Sequence, residues 1–395
     1  MMKKVLIIPS WYPTEDQPSK GIFFKEQALL ASTNYDVRVM VTEVHRVPRR
    51  SPFLFIRKLL SSVRTSIRID THDMAQPPLY FVDHTIASLG GRDHEMKLRM
   101  SVIRAMDAVF SDGWVPDVIH AHCALHGGVY AKIIAEHFSI PFVVTEHQHL
   151  LFDYFPGDSW SLARTVYASA VKVAAVSRFQ LQMLRMNRVH GPIDVIGNLV
   201  DERMFSLGGA HLPEKLARIL FVGTKSHLKD HETFFQAMAF LRQATNRELQ
   251  VSFVCPDLSQ DWKRAYLTKV SKLGLDDCVT FLAEAPREAI VAMLHSHHVF
   301  VSTSIAETFG VAVCEALMCG CPVVVTKSGG VSDFVVDGKN GFLVEIGDAQ
   351  AVARALLKVL SGKLEMSPAE IRQSLSSCYG TAAFLEKLDL LYAVT

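Results

Sequence analysis

The sequence predicts an α/β chain built from two doubly wound units. Three observations lead there. Short strands and longer helical segments alternate along the chain, the strands are runs of apolar residues, and the alternation restarts after residues 206–215, SLGGAHLPEK. Alternating strands and helices wind into parallel sheets with helices on both faces, and strands covered on both faces read as continuous apolar runs.

In the first half KVLIIP, DVRVMVTE, DVIHAH, PFVVTEH, VKVAAVS and IDVIGN are the expected strands. GIFFKEQALLAS and GGVYAKIIAEHF are helical segments between them. In the second half ARILFVG, LQVSFVCP, CVTFLAE, HHVFVSTS, CPVVVTK and GFLVEIG are the strands, with HETFFQAMAFLRQ, PREAIVAMLHS and GVAVCEALMCG as helices. The expected division is a first Rossmann-like domain over 1–205 and a second over 206–395. The helical segments after Met366 can pack on either. Two Rossmann-like domains of this kind are expected to face each other across a cleft at the carboxyl ends of their strands, where such sheets bind ligands.

With 395 residues, 49% hydrophobic and 21% charged, the chain can bury a sizeable core. A net charge of +1 gives no global attraction to nucleic acid. The seven cysteines are scattered in apolar runs, which suits reduced thiols rather than a disulfide framework. The N-terminal apolar run stops at Pro9, too short for a signal peptide, and no run approaches the ~20 apolar residues of a membrane span. A cytoplasmic protein is the expectation.

The stretch SIAETFGVAVCEALMCG, from Ser304 to Gly320, carries two glutamates with seven residues between them. Glu307 falls in the loop after a strand and Glu315 in the helix that begins near Gly310. The free N–H groups of Phe309, Gly310 and Val311 at that helix start, with the helix dipole, suit an anion. From there to Glu315 is roughly 8 Å at ~1.5 Å per residue, about the span from a diphosphate to a ribose. The two acids therefore read as the two ends of a clamp on one extended ligand. A chance pair in a solvated turn is the competing reading.

ETFGVAVCEALMCGCPVV resembles the E-x7-E signature of retaining glycosyltransferases of family 4, which have the GT-B fold. SKGIFFKEQALL, DVIHAHCALHGG, IPFVVTEH, VAAVSRF, VIGNLVDERMF, FVGTKSHLKDHETFFQA and SGGVSDFVVDGKNGFLV are similar to that family's other segments, in order, over nearly the whole chain. The resemblance implies transfer of a sugar from a UDP- or GDP-sugar to a glycan or lipid-linked acceptor in cell-surface polysaccharide synthesis. It also implies retention at the anomeric carbon and no metal or other cofactor. Lys229 matches the loop lysine that would meet the departing diphosphate, beside Gly223. Thr224 stands where the family usually has arginine, and Lys225 is the nearby candidate to supply that charge. Glu307 would hold the sugar hydroxyls, Glu315 the ribose, and the segment from Leu282 to Arg287 would line the base. His147 is the candidate catalytic histidine of the first domain, with His120 and His122 behind it. Gly21 would let the backbone approach the donor. A nucleotide-sugar 2-epimerase and a sugar-nucleotide-binding protein without turnover are the competing functions.

Residues 45–69 form a basic, apolar run without an acid. Arg49, Arg50, Arg57 and Lys58 are interleaved with Phe53 and Phe55, and Phe53 to Ile67 fit one face of a helix. A basic amphipathic helix can lie on an anionic membrane surface. That adds the inner face of the cell membrane to the expected partners. The competing reading is a helix packed on the first domain.

Overall fold

The computed structural model describes residues 2–14, 17, 20–46, 64–70, 77–86, 91–149, 158–208, 214–256, 259–283 and 285–394. Arg49, Arg50, Phe53, Phe55, Arg57 and Lys58 lie outside them. By its contacts the chain divides into two compact units. The first comprises Met1–Val176, Leu181–Ile196 and Leu385–Thr395, and the second Ser177–Gln180 and Gly197–Phe384.

The first unit holds a sheet of eight strands: β1 (Lys4–Pro9), β2 (Asp36–Arg46), β3 (Arg64–Asp70), β4 (Leu79–Ile86), β5 (Val118–His122), β6 (Phe142–Glu146), β7 (Lys172–Ala175) and β8 (Ile193–Val195). Their order is β3-β4-β2-β1-β5-β6-β7-β8, parallel except for the β3–β4 pair. The helices of this half are α1 (Ile22–Ala31), α2 (Gly91–Val109), α3 (Val129–Phe138), α4 (Asp158–Ser169) and α5 (Arg178–Met186), the last crossing the unit boundary in sequence. Leu6, Ile8, Ile119, Ala121 and Val144 of the central strands pack against Val102 and Met106 of α2 and Tyr130 and Ile134 of α3. Each such buried aliphatic side chain contributes about 1.5–3 kcal/mol by leaving water, which is why the central strands are apolar on both faces.

The end of the basic run departs from expectation. Residues 64–70 are strand β3, not the end of a helix, and they pair antiparallel with β4 with Ile67 opposite Val82. Ile67 packs on the first core while Ser66 and Arg68 are exposed. Of this edge strand Ile67 is the apolar position that is covered, since Ile69, two residues on, is 46% exposed. Arg68 stacks its guanidinium 4.3 Å from the centre of the Phe81 ring.

The second unit holds β9 (Leu216–Val222), β10 (Glu248–Val254), β11 (Val279–Leu282), β12 (Val299–Ser302), β13 (Val323–Thr326) and β14 (Gly341–Val344), all parallel in the order β11-β10-β9-β12-β13-β14. Its helices are α6 (His231–Ala244), α7 (Gln260–Lys272), α8 (Arg287–Ser296), α9 (Val311–Met318), α10 (Ala349–Leu360) and α11 (Pro368–Tyr379). Helix α12 (Thr381–Tyr392) leads back to the first unit, where Tyr392 is buried and its hydroxyl meets His120. The strand order reverses between β9 and β12. That switch point opens a crevice at the carboxyl ends of the two strands, where ligands of such sheets bind. Most strands read as continuous apolar runs as expected, but β10 alternates: Leu249, Val251 and Phe253 enter the core, while Glu248, Gln250 and Ser252 do not.

Candidate active site

Two loops meet at the switch point of the second unit. The loop after β9 runs through Gly223 to a single 3-10 turn at His227–Lys229. Ser226 caps that turn, its hydroxyl accepting the Leu228 N–H at 3.2 Å. Asp230 then adopts a left-handed conformation and caps α6, accepting the Thr233 N–H at 3.2 Å and its hydroxyl at 2.5 Å. The loop after β12 is stitched to it. Thr303 donates its hydroxyl to the carbonyls of Lys229 and Asp230 at 3.1 and 2.9 Å, and the Ile305 N–H donates to the Leu228 carbonyl at 2.7 Å.

This stitching brings the Lys229 ammonium to 2.5 Å from Glu307 Oε1, across 78 residues of sequence. Ser304 donates its hydroxyl to the same oxygen at 2.8 Å. The Glu307 backbone is fixed as well. Its N–H donates to the Ser328 carbonyl at 2.8 Å, and its carbonyl accepts the Gly330 N–H at 2.9 Å. Ser328 and Gly330 of SGG thus zip the acidic loop to the start of the next segment. A Cβ on Gly330 would stand 2.2 Å from the Thr308 carbonyl oxygen, so only glycine fits this close approach. Two residues of the short Ser177–Gln180 stretch, which belongs to this unit, brace the same loop. Ser177 donates to the Thr308 carbonyl at 2.5 Å, and the Arg178 N–H donates to Asp333 at 2.7 Å.

Gly310 precedes α9 at φ +94°, a conformation other residues adopt only under strain. A Cβ there would also meet Val331 at 2.5 Å. Phe309 is buried, its ring against Phe334 and Tyr379. Glu315 lies further along α9, 6% exposed, with Arg287 Nη1 at 2.5 Å from its carboxylate. Burial raises the Glu315 pKa and the Arg287 guanidinium pulls it back. Arg287 comes from the first turn of α8 and lies 4.8 Å over the Phe205 ring. Each glutamate therefore has its own cation, and the two pairs sit on either side of one helix start.

The remaining candidates of this unit fall as follows. Gly223 is buried, its N–H used by the Val254 carbonyl at 3.0 Å. Thr224 and Lys225 are exposed, and the Lys225 ammonium sits 4.3 Å over the Trp262 ring. Leu282 is half-buried at the end of β11. His297 and His295 bond backbone carbonyls, and among the described residues no group of His, Cys, Asp and Glu could hold a metal ion.

In the first unit the histidines gather at the corresponding switch point, between β1 and β5 and on to β6. His147, 8% exposed, follows β6 and holds the His122 ring nitrogen at 3.0 Å, with Phe24 edge-on to it. His120 bonds Thr145 at 2.8 Å and the Tyr392 hydroxyl at 2.7 Å. Burial drives the pKa of His120 down to about 3 and that of His122 well below its usual value, so both rings are neutral. Beside them Glu146 is buried. It accepts the N–H groups of Ala124, His147 and Gln148 at 2.8–2.9 Å and the Tyr167 hydroxyl at 2.5 Å. Gly21 opens α1 at φ +72°, packed on Trp11.

Sequence reasoning missed three of these contacts. The grip of Arg287 on Glu315, the bond from Ser304 to Glu307 and the cradle around Glu146 join residues far apart or of unremarkable type. Only position at a strand end hinted at them.

Residues 30–203 match the family model described as Glycosyltransferase Family 4, and residues 209–376 the one described as Glycosyl transferases group 1. The chain is 32% identical over 186 residues to a D-inositol 3-phosphate glycosyltransferase of Corynebacterium jeikeium, covering 46% of this chain and 44% of that one. It is 28% identical over 290 residues to the protein of the same name from Acidothermus cellulolyticus, covering 68% and 64%. The matches thus span less than two thirds of these relatives' length. In fold the chain is similar to sucrose-phosphate synthase of Thermosynechococcus elongatus, with a TM-score of 0.72 at 19% identity over 99% of this chain and 98% of that one. It is similar also to Anabaena HepE in complex with UDP and glucose, with a TM-score of 0.74 at 18% identity over the whole of both chains.

Proposed function

Because the chain belongs to the group 1, family 4 glycosyltransferases, we propose that it transfers a sugar, with retention and without a metal, from a nucleotide diphosphate donor to a glycan or lipid-linked acceptor. One observation carries this reading: two glutamate–cation pairs, Lys229–Glu307 and Arg287–Glu315, flank the start of one helix. The donor diphosphate lies over the N–H groups at Gly310. As the bond to the sugar breaks, the leaving diphosphate gains charge, and Lys229 and the helix start stabilise it. Glu307, oriented by Lys229 and Ser304, holds the sugar hydroxyls. Glu315, kept in place by Arg287, accepts the ribose hydroxyls. Within the first unit, His147, held by His122, is the proposed catalytic histidine.

HepE, whose fold this chain shares, was seen with UDP and glucose, so UDP-glucose heads the donor panel. The test incubates the chain with UDP- and GDP-sugars and an extract of lipid-linked glycans. Release of nucleoside diphosphate with sugar incorporated into the glycan is the expected result. A free nucleotide sugar changed at C2 supports the epimerase instead, and binding without turnover supports a silent binding protein. For the basic run at 45–58 we expect contact with an anionic membrane during synthesis of cell-surface polysaccharide. Co-sedimentation with phosphatidylglycerol vesicles checks it, and absence of binding at low salt rejects it.

A further inference from the structure

The two faces of the second sheet differ at its β10–β11 edge. Ala217 and Ile219 of β9, Leu249, Val251 and Phe253 of β10, and Val279 and Phe281 of β11 all pack into or against the core under α6 and α7. Opposite them stand Arg218, Gln250, Ser252 and Thr280, with Arg218 in register with Gln250 and Ser252 with Thr280. A parallel sheet is ordinarily covered by apolar packing on both faces. Here the second face floors a cavity of about 790 Å³. It opens toward the amino-terminal halves of the strands, at the opposite end from the Lys229 and Glu307 loops.

The walls are rich in arginine. Arg242 is already held by Asp277 through a two-pronged contact. Arg218 and Arg247 are not so matched. Arg218 donates to the Gln250 side-chain oxygen at 3.1 Å and the Ser296 carbonyl at 3.4 Å. Arg247 donates to the carbonyls of Leu360 at 2.6 Å and Leu216 at 3.4 Å. All four acceptors are neutral, so two half-buried guanidinium charges lack a carboxylate partner among the described residues. Glu248, also on the wall, accepts from the Gln250 amide at 3.2 Å. Guanidinium forks match phosphate oxygens in geometry and charge. The Thr280 hydroxyl can bond a ligand hydroxyl, as can the remaining capacity of Ser252 Oγ, which already bonds His297 Nε2 of the wall at 2.9 Å, and the volume lies within the range of small-ligand sites.

We propose that this cavity binds a phosphate monoester of a small polyhydroxyl compound, at a site separate from the donor loops. The test is isothermal titration of the full chain with ribose 5-phosphate, with ribose as the neutral control. Saturable binding of the ester and none of ribose is expected. Arg218→Gln and Arg247→Gln should each weaken it about tenfold or more. Because Arg218 also ties strand to helix, Thr280→Glu provides a variant that leaves both arginines in place. Its carboxylate on the cavity floor should weaken binding to a similar extent. Lys229→Ala should leave binding unchanged. The proposal is overturned if the wild type shows no saturable binding. It is overturned equally if binding is lost in Lys229→Ala and kept in the arginine variants, or if the face pairs two copies of the chain, seen as a dimer mass in light scattering that Thr280→Glu reduces to the monomer.

Discussion

Two buried or half-buried carboxylates, each with one cation, set the chemistry of the second unit. Glu315 is the more buried, and removing Arg287 leaves it charged without compensation. Arg287→Ala should therefore destabilise the fold by about 3 kcal/mol, read as a lower urea midpoint. Glu315→Gln should cost less, because it removes the charge that needs the partner, while raising the KM for the donor more than it lowers kcat. Glu307→Ala and Lys229→Ala act on the reacting end, and each should nearly abolish kcat; since the Glu307 side chain is only 12% exposed, Lys229→Ala should also lower the thermal midpoint, though less than Arg287→Ala. Full turnover in the Glu307 variant rejects the assignment. Glu307, Glu315 and Lys229 were legible as candidates from spacing and family resemblance. Their pairings were not, because Lys229 and Glu307 lie 78 residues apart and nothing in a linear pattern says which cation meets which acid. Lys225 shows the limit in the other direction: its charge was legible, but its place over Trp262 is a matter of where α7 packs.

The elements that carry these residues were mostly legible, since a parallel strand buried on both faces has a composition of its own. β1 spans the same residues as the apolar run KVLIIP, β9, β12 and β13 fall within a residue or two of theirs, and β14 starts with its run and ends three residues before it. The reading failed where a strand has only one buried face. β3 hid inside an apparent helical pattern because its partner β4 is joined through residues with no periodic signal, and antiparallel pairing is a contact rather than a composition. Close approach between elements was equally hidden. Gly330 reads as half of an ordinary loop glycine pair, yet its N–H and its missing Cβ hold the Glu307 loop in place. Gly330→Ala has no room against backbone and should destabilise by about 2 kcal/mol or more. A nucleotide titration should show donor binding weakened in that variant even where the protein remains folded.

Over the whole molecule, burial of neutral imidazoles makes stability depend on pH. The pKa of His231, between Tyr266 and the Phe221–Phe253 stack, is lowered from 6.5 to about 4, and that of His120 to about 3. A depressed pKa means the unfolded chain takes up the proton first. The stabilisation is therefore complete above about pH 6.5 and is lost as pH falls toward 4 and then 3. Thermal midpoints should fall over that window, and His231→Gln should flatten the upper part of the slope; equal slopes in both proteins reject this account. Sequence by itself determined the two α/β halves, the order along the chain of every strand but β3 and β4, and the residue types at the strand ends, because hydrophobic period and turn chemistry are local properties. Tertiary structure alone decided the strand order in space, the pairing of each glutamate with its cation, the return of Tyr392 to His120 and the wet face of β10, because each joins segments far apart in the chain and depends on which surfaces the packing leaves uncovered.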